Sequence, residues 1–167
     1  MRWGWVGSAV SVSLMLACSG GGTGRSAAGA LGDFQTDATA VRQETTAHGQ
    51  AIAAATSVAQ VSTIESEYAG AMDDRFASMN GAMDDMMGEC GSFAMGDLDG
   101  MFVDLQNVCA EHTGVMTSAG TMGAAQNEET HHQQTMQATL NSMGTMTQSM
   151  MPMMGDCSGG SMGGNGM

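Results

Sequence analysis

The feature that most constrains this chain is that its second half repeats its first. With an offset of 64 residues, His48 falls on His112, Glu65 on Glu129, Met72 on Met136, and Ala77-Ser78-Met79 on Asn141-Ser142-Met143. Three inserted residues then bring Met86-Met87-Gly88-Glu89-Cys90 onto Met153-Met154-Gly155-Asp156-Cys157. Matches at so many uncommon residue types go beyond low complexity, so the domain is two tandem copies of one unit.

Each copy carries a helical stripe. In the first, steps of three and four pass through Phe34, Ala38, Val41, Thr45, His48 and Ile52, then Tyr68, Met72, Phe76, Met79, Met83 and Met86. In the second they pass through Phe102, Leu105, Cys109, His112 and Met116, then His132, Met136, Leu140, Met143, Met150 and Met154. One stripe cannot hide its apolar side from water alone, so each unit is expected to fold back on itself. The expected fold is all-α, a four-helix bundle from two tandem αα-hairpin repeats, over residues 33–157 with repeats at 33–90 and 98–157. The linker is placed at Gly91 to Gly100, and the tail 158–167, rich in glycine and methionine, is expected to be disordered.

The position of each hairpin turn has competing signals. Ser62-Thr63-Ile64-Glu65 has the form of a capping box, with Asn127-Glu128-Glu129 at the matching place, and this turn is preferred because it yields helices of similar length. The rival turn lies near Thr56-Ser57, with Gly120-Thr121-Met122-Gly123 as counterpart. An unbroken phase making each unit one long helix ranks lower still.

Residues 1–17 read as an export signal: Arg2, an apolar run from Trp3 to Leu16, then Ala17-Cys18. The run is shorter than the roughly 20 residues a membrane-crossing helix needs. Met15-Leu16-Ala17-Cys18 resembles the lipobox of bacterial lipoproteins, although that family more often has leucine at the place of Met15 and a small residue at that of Leu16. The resemblance covers about the first 20 residues. It implies acylation of Cys18 as the new N-terminus, a flexible tether over 18–32, and anchoring in the cell envelope facing the periplasm or exterior. Ser19, in place of an aspartate, favours the outer membrane.

The whole chain has a formal charge of -13, and losing Arg2 makes the mature form more negative. Such a surface repels phosphate backbones and disfavours nucleic acid as a partner. No motif identifies a protein partner.

Two features bear on chemistry. His48 and His112 lie on the inward stripe where a bundle ordinarily places leucine, and Glu65 and Glu129 fall on the same stripe, followed by Tyr68 and His132. Glu129-Thr-His-His132 has Glu-x-x-His spacing, which sets a carboxylate and an imidazole on one helix face. This resembles the di-iron carboxylate bundles, with Tyr68 standing where that family has a second histidine and His48 and His112 where it has glutamates. A turn near 56 and 121 sets the histidines level with the glutamates. The preferred turn separates them and makes Glu65 and Glu129 helix-start residues.

The second feature is methionine: 20 in all, nine of them from Met136 to Met167. Thioether sulfur is a soft ligand suited to Cu(I), and the chain is similar to extracytoplasmic copper-handling proteins in this richness alone. The leading expectation is therefore a soft-metal site, copper foremost, built from His48, His112, His132, Met72, Met136 and Met143. The competing expectation is a structural or interaction lipoprotein of the envelope, in which these residues only pack and hydrogen-bond.

Beyond Cys18 there are three cysteines, and Cys90 with Cys157 forms the expected disulfide because both close their units at the same bundle end. Cys109 is then left over, although its pairing with either of the others is compatible with spacing. No nucleophile motif or phosphate loop is present, so no catalytic residue and no enzyme activity is expected. If the export reading holds, the mature protein begins at an acylated Cys18, and Cys18→Ser moves it from the membrane to the soluble fraction. Recovery from mature protein of a peptide beginning before Cys18 contradicts it.

Overall fold

The computed structural model describes residues 25–91 and 95–157, with side chains as far as Met154. The export segment 1–17, Cys18, most of the tether and the tail 158–167 lie outside the described residues. These comprise four helices and no strand: α1 (Ala27–Ala54), α2 (Val58–Cys90), α3 (Gly96–Ser118) and α4 (Met122–Cys157). They form an up-down-up-down bundle in which α1 and α3 each pack on α2 and α4. No described helix is long and apolar enough to cross a membrane.

α1, α2 and α4 start where a side-chain hydroxyl caps them, and α1, α2 and α3 end on a backbone N–H bonded to the carbonyl of their last turn. α1 begins inside the segment expected to be tether, because the Ser26 hydroxyl accepts from Gly29 N (3.2 Å) and Ala27, Ala30 and Leu31 are already buried. α3 likewise begins at Gly96, within the expected linker.

The turn preferred from sequence is not the one adopted. Ser62 to Glu65 lies inside α2, and the reversal occurs between Ala54 and Val58, with its twin between Ser118 and Met122. A capping arrangement five residues earlier explains why. Ser57 Oγ accepts from Gln60 N (3.3 Å), and Gln60 Oε1 reaches back to Thr56 N (2.7 Å) and Oγ1 (3.0 Å). Thr121 Oγ1 does the same for Ala124 N (3.2 Å) in the second unit. Glu65 and Glu129 are consequently mid-helix and buried, not caps.

The interior is layered. Ile52, Val61, Met116 and Ala125 form a small apolar plug beside the two hairpin turns. A larger core of phenylalanine, methionine and leucine runs to the other end, centred on Phe102, whose ring meets Phe34 and Phe76 edge-on with centroids 6.2 and 5.8 Å apart. Between plug and core, along every helix, lies a polar layer. At the far end Cys90 is disulfide-bonded and its Sγ lies 3.5 Å from Met154 Sδ. The side chain of Cys157, its expected partner, lies outside the described residues, and Cys109 is a free, buried thiol.

Truncation at the aromatic centre tests the packing: Phe102→Ala is expected to cost about 3–5 kcal/mol. The neighbouring Val103→Ala, at a half-exposed site, is expected to stay within about 0.5 kcal/mol. Urea unfolding reads both as shifts in midpoint at constant slope.

Candidate metal centre

Each helix contributes one side chain to the polar layer: His48 from α1, Glu65 from α2, His112 from α3 and Glu129 from α4. All four are buried, none more than 4% exposed. One ligand atom from each lies within 4.8 Å of all the others. His48 Nε2 is 2.9 Å from Glu65 Oε1, 3.0 Å from Glu129 Oε2 and 3.3 Å from His112 Nε2. His112 Nε2 is 3.4 Å from the same oxygen of each glutamate. A tetrahedral ion held at about 2.0–2.1 Å has ligand–ligand edges of roughly 3.3–3.4 Å. The five edges that involve a histidine nitrogen, 2.9–3.4 Å, are close to that size, and the sixth, between the two carboxylate oxygens, is within 4.8 Å.

Distance alone does not make these contacts hydrogen bonds. A neutral imidazole Nε2 carries at most one proton, yet each of these nitrogens faces two carboxylates and the other ring. None of the four carboxylate oxygens of Glu65 and Glu129 accepts a well-directed hydrogen bond among the described residues, and His48 Nδ1 is also unpartnered. Buried polar atoms are ordinarily satisfied, so carboxylate oxygens left unpartnered within 3.4 Å of two imidazole nitrogens form an arrangement a cation would complete.

Charge distribution agrees. Burial pushes the Glu65 carboxyl up, but His112 and His48 outweigh it and hold it down at about 2. Burial alone would lower His48; the Glu129 and Glu65 carboxylates prevail and raise it to about 9. In the metal-free protein a proton on His48 thus serves as counter-charge to the carboxylates.

A second tier supports the first. The Tyr68 ring stacks on His48 (centroids 4.1 Å, 15°) and His132 stacks on His112 (3.8 Å, 14°). His132 Nε2 and Tyr68 OH lie 3.0 Å apart, Tyr68 OH and Thr45 Oγ1 3.0 Å, and Thr45 Oγ1 donates to Val41 O at 2.9 Å. Because the Thr45 proton is committed to Val41, the chain runs in one direction: His132 Nε2–H to Tyr68, Tyr68 O–H to Thr45. Burial, with His112 and His48 nearby, pushes His132 down to about 3, which keeps it neutral. His112 is held from behind as well, its Nδ1 3.4 Å from Glu128 Oε1. Gly49 makes room for this tier, since a Cβ there would collide with Gln133 Nε2 and come 2.9 Å from Glu129 Oε1.

Of the ligands expected from sequence, His48 and His112 meet, whereas His132 turns its Nε2 to Tyr68 and acts by stacking. Met72, Met136 and Met143 are buried in the large core, with Met136 Sδ 3.6 Å from Cys109 Sγ. Glu65 and Glu129 take the two remaining places. Sequence spacing had already put them on the stripe, and only the turn kept them out of the expected set.

The titrations have opposite signs. His48 holds its proton more tightly folded than unfolded, so its stabilisation is complete below about pH 6.5 and is lost as pH rises toward about 9. His132 stays neutral in the fold but protonates in the unfolded chain, so stability falls as pH drops from about 6.5 toward about 3, and Glu65 adds to that loss between about 4.5 and 2. Metal-free protein is therefore expected to melt highest near pH 6.5, and His48→Gln is expected to flatten the alkaline limb. Thermal melts across that range in the presence of a chelator provide the check. No family model, curated protein or solved structure matches this chain.

Proposed function

We propose that this protein binds one first-row divalent cation through His48, Glu65, His112 and Glu129, within a lipid-anchored domain held outside the cytoplasm. The observation that carries the reading is the convergence of two imidazole nitrogens and two carboxylate oxygens, all buried and all within 4.8 Å of one another. The lipobox-like Met15-Leu16-Ala17-Cys18 supports the location.

The donor set narrows the metal. Thioether and thiolate select Cu(I), whereas imidazole with carboxylate suits Zn²⁺, Fe²⁺, Mn²⁺ or Cu²⁺. The expectation of copper held by methionine therefore gives way to a borderline divalent ion such as zinc. Two carboxylates fall short of the four that a di-iron pair takes, so one ion is the natural occupancy. Four protein ligands leave no open position for a substrate, which favours holding or buffering the ion over catalysis.

Titration of the detergent-solubilised mature protein with Co²⁺ or Zn²⁺ against a chelating indicator is expected to give one ion per chain. His48→Ala/His112→Ala and Glu65→Gln are each expected to weaken binding by more than the roughly 10–100-fold typical of outer-shell changes. Saturating metal at about 1,000 times Kd is expected to stabilise the fold by about 4 kcal/mol. Absence of stoichiometric binding, with the variants merely less stable, leaves the envelope structural role as the correct reading.

A further inference from the structure

The two halves of the bundle are twins, but the walls they raise around the polar layer are not. Between α3 and α4 runs a cleft of about 100 Å³ whose lining includes Glu111, His112, Glu128, His131 and His132. These side chains grade from solvent to interior: Glu111 and His131 are exposed, Glu128 is half-buried, and His112 and His132 are each 1% exposed. Glu128 Oε1 touches His112 Nδ1 at 3.4 Å, while His132 Nδ1 is buried without a partner.

The first half is built differently: its acids are Glu67, exposed, and Glu44, half-buried at the counterpart of Val108, and nothing pairs with His48 Nδ1 as Glu128 does with His112. With the offset of 64 residues, the counterparts of Glu111, Glu128, His131 and His132 are Ala47, Ile64, Glu67 and Tyr68. The α1–α2 face thus has an alanine and an isoleucine where the cleft has Glu111 and Glu128, and a phenol ring in place of His132. Charge follows the same division: the chain's arginines are Arg2, Arg25, Arg42 and Arg75, there is no lysine, and α3 and α4 carry neither residue type.

Resting on the metal-binding reading above, we propose that the α3–α4 cleft is the path by which the divalent cation reaches and leaves the centre, with Glu111, His131 and Glu128 as successive transient ligands that pass it to His112. A hydrated divalent ion cannot cross an apolar wall without losing its water shell uncompensated, a cost of many kcal/mol. Carboxylate and imidazole donors placed at intervals replace those waters one at a time. A groove lined by acidic groups also focuses the field, which raises the local cation concentration and the rate of capture. Glu128 acts as a positioning residue too, since the oxygen that would receive the ion also steadies the ring that accepts it.

Stopped-flow mixing of the whole mature protein with Co²⁺, followed by its visible absorption, tests the path separately from the site. Glu111→Gln/His131→Ala alters the mouth and none of the four ligands. It is expected to slow uptake roughly tenfold, and release by the same factor, with final absorbance and Kd unchanged. The control, Glu44→Gln/Glu67→Gln on the twin face, removes more negative charge and is expected to leave both rates within about twofold. Uptake by the mouth variant at the unaltered rate overturns the cleft while leaving the centre intact, as does equal slowing in the control, which would reduce the effect to overall charge. If the unaltered protein shows no Co²⁺ band at equilibrium, both the centre and its path are overturned.

Discussion

Two carboxylates and two imidazoles share one dry layer, and the rest of the structure is organised around keeping them there. Taking a carboxylate out of water costs several kcal/mol, and two side by side repel as well. What offsets this is positive charge at the centre of the layer: a proton on His48 in the metal-free protein, and a divalent cation in the proposed loaded form. Apolar material closes the layer from both sides, with the plug of Ile52, Val61, Met116 and Ala125 toward the turns and the aromatic and methionine core beyond. The stacked Tyr68 and His132 rings and the hydrogen-bonded chain to Val41 hold the two imidazoles in fixed planes.

Duplication is the economical way to build such a layer. One hairpin supplies one histidine and one glutamate, which cannot enclose an ion; two hairpins together bring four such side chains, twins at an offset of 64 residues, to one place. α1 and α3 lie on the wide diagonal, where imidazole is long enough for His48 and His112 to meet. The departures from symmetry are equally informative. Thr45 against Cys109 and Tyr68 against His132 give the second tier a direction, while Ile64 against Glu128 leaves His48 Nδ1 without the carboxylate that His112 Nδ1 has.

Much of this was readable from spacing. The stripe marked His48, Glu65, His112 and Glu129 as inward-facing, and the offset of 64 residues identified them as twins. The methionine excess was misleading as a sign of ligands, because flexible thioethers also fill irregular cores, and here Met72, Met136 and Met143 do so. Ser62-x-x-Glu65 was misleading as a cap, because Ser57-x-x-Gln60 offers the same chemistry five residues earlier and leaves Glu65 free to face His48.

By itself, then, the sequence determined the all-α class, the twofold repetition and the angular position of the histidines and glutamates of the polar layer, since helical period assigns a residue to a face. Only the tertiary structure decided the axial level at which the two strokes of each hairpin meet. Moving a turn by five residues lengthens one helix and shortens the other, so facing residues change by ten positions, roughly 15 Å at about 1.5 Å per residue, without changing which residues face inward. Periodicity is blind to that displacement. The packing resolved it, because the adopted register sets buried histidines against buried glutamates, whereas the other moves the glutamates to helix starts and leaves the histidines without them.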